Sequence, residues 1–310
     1  MSAEHPIIAI TGSSGAGSSS ISHAFNRIFW RERVKAAYIQ GSGFHRYDRK
    51  EMAQEIRKAE GEGRILSHYG PEGNHLDKLE TMFFQYAATG TGQRRYYLHS
   101  NVHAKQRGQE PGTLTPWENI EKKTDVLLYR GLHGGAVHDG IDISEYPDLL
   151  IGMVPSVNLE WIRKISRDTA QRGYTAQEVR QSIMRRMHDY VHHITPQFAR
   201  THINIQMMAA VDTSDPFAIS EMPTEDECFF VVSFKRDCAP DMKELVKLIP
   251  KSFLSRPSTI VVPGGKLVHA IEVILMPMVH DLVSVSRKIR GVKKPKKRKA
   301  GLRGALMQSY

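Results

Sequence analysis

The chain has 310 residues, of which 40% are hydrophobic and 25% charged, with a formal net charge of +10. That balance belongs to a globular protein able to bury one large core or two modest ones, and it excludes a low-complexity chain. Two cysteines, Cys228 and Cys238, cannot make a disulfide framework, so a reducing, cytoplasmic setting is expected.

No run of about eighteen apolar residues occurs, and the N-terminus shows no basic segment leading into an apolar stretch, so no membrane span is expected. The first element is a short apolar strand, Ile7 to Ile10, closed by Thr11. A loop of Gly12, Ser13, Ser14, Gly15, Ala16, Gly17, Ser18, Ser19 and Ser20 follows. Apolar residues then recur at Ile21, Ala24, Phe25, Ile28 and Phe29 with helical spacing. Strand, glycine loop and helix in that order open an α/β sheet.

Gly12-x-x-x-x-Gly17-x-Ser19 fits the pattern that cradles phosphate on backbone N–H groups, with Ser18 where lysine is usual. Ser19 is placed to ligate Mg²⁺ through its hydroxyl. Taken alone the loop also reads as a Gly/Ser turn without a ligand, because the lysine is missing.

Further buried strands are expected at 36–39, 126–129, 149–154, 229–234 and 259–262. Helical patterns fall near 50–60, 76–87, 158–171, 177–193, 240–248 and 265–284. The stretch 88–122, rich in Gly, Thr, Arg and Pro, reads as an excursion over the sheet edge. His188, His192 and His193 give an i, i+4 histidine pair that could hold Zn²⁺, but no third ligand is evident. From Arg287 onward ten Lys/Arg and no acid account for the whole excess charge, so residues 1–286 read as the folded domain. Residues 287–310, with KKPKKRK at 293–299, read as a basic, disordered tail with weak affinity for polyanions.

Several dispersed blocks carry a more specific signal. They include GFHRYDR at 43–49, YYLHS at 96–100, PGTLTPWE at 111–118, GLHGG at 131–135, VNLEWIRKISRDTAQRGYT at 157–175 and RRMHDYVHHITPQF at 185–198. With the glycine loop, VDTSDPF at 211–217 and VVPGGK at 261–266, the chain resembles the bacterial, short-chain phosphoribulokinases from about residue 5 to 284. The resemblance implies a P-loop NTPase-like, adenylate-kinase-like α/β fold with a mixed sheet flanked by helices. It implies transfer of the ATP γ-phosphoryl group, with Mg²⁺, to O1 of ribulose 5-phosphate, a loop that commonly lacks lysine, and a homo-oligomer.

By the same resemblance, residues 12–20 with Arg185 and Arg186 bind ATP, and His45, Arg49, Tyr97 and His99 bind the sugar phosphate. Lys164, Arg167 and Arg172 supply positive charge near the transferring phosphoryl group, and Asp168 is a second functional carboxylate. Arg31 and Arg256 fall where bacterial relatives place effector arginines, which makes NADH and AMP candidate effectors.

Two positions depart from the family pattern. Ser42 stands where the general-base Asp is expected, and Arg130 stands where the acidic residue of the Mg²⁺ side is expected. Asp48 and Asp168 are the nearest substitutes. Smaller departures at 101–103 and 205–208 touch the substrate pocket. Two readings follow: a phosphoribulokinase with impaired catalysis, or a degenerate relative that binds nucleotide or sugar phosphate without much turnover.

Overall fold

Aliphatic runs that are buried on both faces favour parallel strands covered by helices. In the computed structural model, which describes residues 3–13, 18–218 and 221–293, they form one eight-stranded sheet. Its strands are β1 (Ile7–Gly12), β2 (Ala36–Gln40), β3 (Val126–Gly131), β4 (Leu149–Val154), β5 (Ile203–Ala209), β6 (Cys228–Phe234), β7 (Phe253–Arg256) and β8 (Thr259–Pro263). The order is β7-β8-β6-β5-β4-β1-β3-β2. β2, β3, β1, β4 and β5 run parallel, and β6, β8 and β7 extend the sheet antiparallel. The expected mixed sheet is therefore present.

The helices are α1 (Ser18–Glu32), α2 (Arg49–Gly61), α3 (Leu76–Thr89), α4 (Asn101–Arg107), α5 (Val157–Arg172), α6 (Ala176–Arg185), α7 (Met242–Leu248) and α8 (Leu267–Ile289). One face of the sheet packs on α1 and α8, through Phe25, Ile28, Ile271 and Leu275. The other face packs on α3, where Leu79, Phe83 and Tyr86 meet Ile7, Ala9 and Tyr129.

Two strands of the eight-stranded sheet escaped the sequence reading. β5 alternates buried Ile203, Ile205 and Met207 with half-buried Asn204 and Gln206, a period of two that was available. β7 is exposed along its length at the sheet edge and has no apolar face to announce it. The helix expected over 177–193 stops at Arg185. The chain continues through a short turn at Met187–Asp189 and a wider π-type turn at Tyr190–Ile194. Pro196 then lacks the N–H that a continuing α-helix would use.

α8 is long and apolar enough, by length and composition, to cross a bilayer. Here it packs on α1, and Glu272 on its buried face accepts ion pairs from Arg27 at 2.5 Å and Arg31 at 3.2 Å. It also runs further than the sequence pattern suggests, to Ile289. Arg287 is buried, donating through Nε and Nη2 to Asp125 at 3.0 and 2.8 Å, and Arg290 approaches the same carboxylate at 3.5 Å. These two basic residues thus belong to the domain, whose last turn they clamp to the start of β3. Residues 294–310, and most of the lysine run, lie outside the described part of the chain.

Asp125→Ala would leave the buried Arg287 guanidinium without its counter-ion. Breaking one partner of such a pair costs about 3–5 kcal/mol. Urea unfolding should show a midpoint lowered accordingly, and an unchanged midpoint would mean that the end of α8 is not anchored there.

Candidate active site

In an open α/β sheet, ligands collect at the C-terminal ends of the parallel strands. The register pairs Arg130 with both Ile10 and Gln40, and Gly12 with Met153, so the ends of β1, β2, β3 and β4 share one edge. Gly12 has φ +149°, and a Cβ there would lie 2.5 Å from the Met153 carbonyl oxygen. Only glycine lets the chain turn so close to β4. Ser13 is buried at the mouth of the loop. Ser14, Gly15, Ala16 and Gly17 lie outside the described residues, and so do the side chains of Ser18, Ser19 and Ser20 at the start of α1.

A cleft of about 1250 Å³ opens along this edge. A pocket for one small molecule usually encloses about 300–1,000 Å³, so the cleft has room for two ligands. One wall comes from α5. Helical spacing puts Lys164, Asp168 and Arg172 on one face, and Arg167 beside them. Asp168 is buried, with Lys164 Nζ at 2.5 Å, Arg167 at 2.8 Å and Arg172 at 3.2 Å. Burial pushes its carboxyl up, but the three cations outweigh burial and hold it below the usual carboxylate range. Burial, with Arg186 nearby, lowers the Lys164 ammonium to about 8. One carboxylate is thus shared by three cations on this wall.

The opposite wall is built from a short turn, Gly41–Phe44, and the segment that follows it. Arg95 pins this turn by donating to the carbonyls of Gly43 at 2.7 Å and His45 at 2.6 Å. His45 Nδ1 meets Asn74 Oδ1 at 2.8 Å, and its ring stacks on His68 at 4.0 Å. Tyr97 packs edge-on to His45 and lies 4.7 Å from His99. Arg49, in the first turn of α2, donates to the His99 carbonyl at 3.3 Å. Burial is the main cause that lowers His45 to about 4, His133 to about 4 and His99 to about 3, and it takes His68 well below the ordinary value.

Arg185 and Arg186 close the third side. Arg185 reaches Glu60 at 3.4 Å, and Arg186 donates back to Ser182 O at 2.9 Å with its guanidinium 5.3 Å from the Tyr69 ring. The structure therefore brings the expected Ser42, His45, Arg49, Tyr97, His99 and Arg130 to one cleft with Lys164, Arg167, Asp168, Arg172, Arg185 and Arg186. Arg31 and Arg256 do not line it. The histidines of 188–193 divide, His188 stacking on His192 at 4.1 Å and His193 facing His138 at 5.9 Å. No group of three or more metal-binding side chains occurs among the described residues, so the zinc alternative finds no third ligand there.

Four side chains went unremarked in the sequence. Arg95, Asn74 and His68 act through backbone and ring contacts that no local spacing announces. Glu160 carried a signal, since it is an acid inside the buried stripe of α5. Burial raises its carboxyl, opposed by the nearby Ser13 hydroxyl, Lys164, Arg186 and the Tyr69 hydroxyl.

Mg²⁺ asks for oxygen ligands, commonly one or two carboxylates beside substrate phosphates. At the strand ends stand Arg130, whose Nη1 donates to Ser22 at 2.8 Å, and Ser42. Asp168 is already shared by three cations, and Asp48 spends its carboxylate on the N–H groups of Lys50 and Glu51 as the cap of α2. Arg130, Ser42, Asp168 and Asp48 therefore offer no free carboxylate to a Mg²⁺ at the strand ends.

A glycine loop between a central parallel strand and a helix, set beside a basic cleft, defines a P-loop kinase fold. A family model described as the phosphoribulokinase/uridine kinase family matches residues 7–214. The chromosomal phosphoribulokinase of Cupriavidus necator is 51% identical over 280 residues, which cover 90% of this chain and 96% of that protein. A probable phosphoribulokinase of Escherichia coli is 47% identical over 91% of this chain and 98% of its own length. The solved phosphoribulokinase from Rhodobacter spheroides superposes with a TM-score of 0.84 at 43% identity, covering 92% of this chain and 100% of that one. The chain belongs to the phosphoribulokinase/uridine kinase family and groups with its bacterial phosphoribulokinases.

The four depressed histidines make stability depend on pH. Each is neutral in the fold, while an unfolded histidine protonates near about 6.5. Between that value and about 4 the unfolded chain binds more protons, so stability is full above about pH 7 and lost as pH falls. Urea midpoints should decline steadily from about pH 7 to about pH 4, and a profile flat to about pH 5 would mean that these rings are solvated.

Proposed function

We propose that the chain binds ATP and ribulose 5-phosphate in this cleft and transfers the γ-phosphoryl group to O1 slowly. The relatives named phosphoribulokinase support the substrate pair, and the volume of the cleft is compatible with two ligands. In this reading residues 12–20, Arg185 and Arg186 hold the nucleotide, and His45, Arg49, Tyr97 and His99 hold the sugar phosphate. Lys164, Arg167 and Arg172 neutralise charge on the transferring group.

The observation that carries the word slowly is the pair of side chains at the strand ends, Ser42 and Arg130. As O1 bonds to phosphorus and the bond to ADP breaks, the hydroxyl proton must leave to a base. A serine hydroxyl does not accept it at neutral pH. Four nearby carboxylates are committed, Asp168 to three cations, Glu60 to Arg185, Glu178 to the cap of α6 and Asp48 to the cap of α2, which leaves Glu160, raised by burial, as the remaining acid near the loop. Phosphoryl transfer still gains from positioning and charge neutralisation, so the reaction is slowed rather than abolished.

The second reading is binding without turnover. It is favoured by the same contrast between an intact cationic wall and an absent base, and it fits a regulatory protein as well as an enzyme.

Formation of ribulose 1,5-bisphosphate from ATP and ribulose 5-phosphate, compared with the Ser42→Asp/Arg130→Glu variant, tests both. A general base is worth about two to four orders of magnitude, and the double variant should gain a rise of that order. High turnover in the unaltered chain, untouched by the two changes, would show that another group takes the proton. Ligand-induced rises in melting temperature without product would favour the binding reading.

A further inference from the structure

We propose that Arg130 is a fixed cation for the phosphate chain of a nucleotide, so that the cleft takes ATP without a divalent metal. The inference rests on the nucleotide-binding reading above. Its first support is position. Arg130 ends β3 in register with Ile10 of β1 and Gln40 of β2, at the edge where Gly12 leads into the glycine loop. Its Nη1 donates to Ser22 Oγ at 2.8 Å, which fixes the guanidinium beside the first turns of α1.

The second support is the state of that guanidinium. It is half-buried, burial lowers its pKa, and among the described residues no carboxylate forms an ion pair with it. A guanidinium offers five N–H donors in a planar fork that suits phosphate, and Ser22 takes one of them. A half-buried cation without a counter-ion is costly to keep, and a polyanion in the cleft supplies what the protein does not.

The third support is electrostatic exclusion. A divalent cation at the strand ends would face Arg130 as a like charge in a partly water-excluded setting, where repulsion is stronger than in bulk water. The side chain that attracts the phosphates therefore also repels the ion that would otherwise accompany them. Arg130 supplies one fixed charge and directional hydrogen bonds in the region where a metal would supply two charges and open coordination positions.

Calorimetric titration of the full chain with ATP, once in EDTA and once in excess MgCl₂, decides the matter. ATP should bind at least as tightly in EDTA as in Mg²⁺. Arg130→Met should weaken binding in EDTA by about tenfold or more, as loss of a charge-assisted phosphate contact does, and Arg130→Glu should make binding depend on Mg²⁺. Binding by the unaltered chain only when Mg²⁺ is present would overturn the proposal and leave the nucleotide-binding reading standing. Absence of ATP binding in both buffers would overturn the two together. The comparison within the unaltered chain decides even where a variant folds poorly.

Discussion

One buried carboxylate makes the cationic wall possible. Lys164, Arg167 and Arg172 would repel one another if packed on one helix face without a counter-charge, and Asp168 sits within 3.2 Å of all three. The spacing of α5 creates this arrangement, since 164 and 168 are one turn apart and so are 168 and 172. The wall is balanced well enough to fold and stays cationic. Burial and Arg186 bring Lys164 to about 8, close enough to neutrality that removal of Asp168 would threaten its charge. Attraction for phosphate and tolerance of the folded state therefore depend on the same group.

The sheet turns that wall into a site. Parallel strands β1, β2, β3 and β4 end at one edge, and each contributes at its last residues what the cleft needs at that depth. Gly12 yields space, Arg130 gives charge, and Gln40 leads into the turn that carries Ser42 and His45. The histidine wall has a different basis. His45 and His133 are buried and His68 and His99 half-buried, and desolvation keeps all four neutral, so this side offers neutral donors and acceptors opposite a cationic side. A sugar phosphate needs both kinds of surface: hydroxyls suit neutral rings and the phosphate suits arginines.

Much of this was legible in the sequence, and the rest was hidden for identifiable reasons. β1, β3 and β4 are continuous aliphatic runs, and continuous burial is easy to read. β5 and β7 were missed because one is buried on a single face and the other on neither. The family resemblance brought twelve described cleft residues together, from Ser42 to Arg186, before any contact was known. It did not reveal Arg95, whose work is to hold two carbonyls 50 and 52 residues away, nor Asn74, which holds His45. Arg287 was read as the start of a basic tail because its partner, Asp125, is 162 residues distant. Charge composition cannot distinguish a solvated lysine run from an arginine whose counter-ion arrives by folding.

In the proposed reading, Ser42 and Arg130, which line the same cleft, alter different quantities. Replacing a base by a hydroxyl removes a proton acceptor, which affects the barrier and leaves the ground-state attraction for phosphate nearly unchanged. Replacing an acid by a guanidinium changes local charge by two units, which acts on binding before any chemistry begins. A polyanion held by fixed side-chain cations is bound in a geometry set by the protein, whereas a metal travels with its nucleotide and adapts to both. The first arrangement favours retention of a ligand and the second favours its transformation. In the proposed reading, a cleft in which Arg130 stands with Lys164, Arg167 and Arg172, and Ser42 takes the place of a base, is weighted toward holding phosphates rather than moving protons away from them.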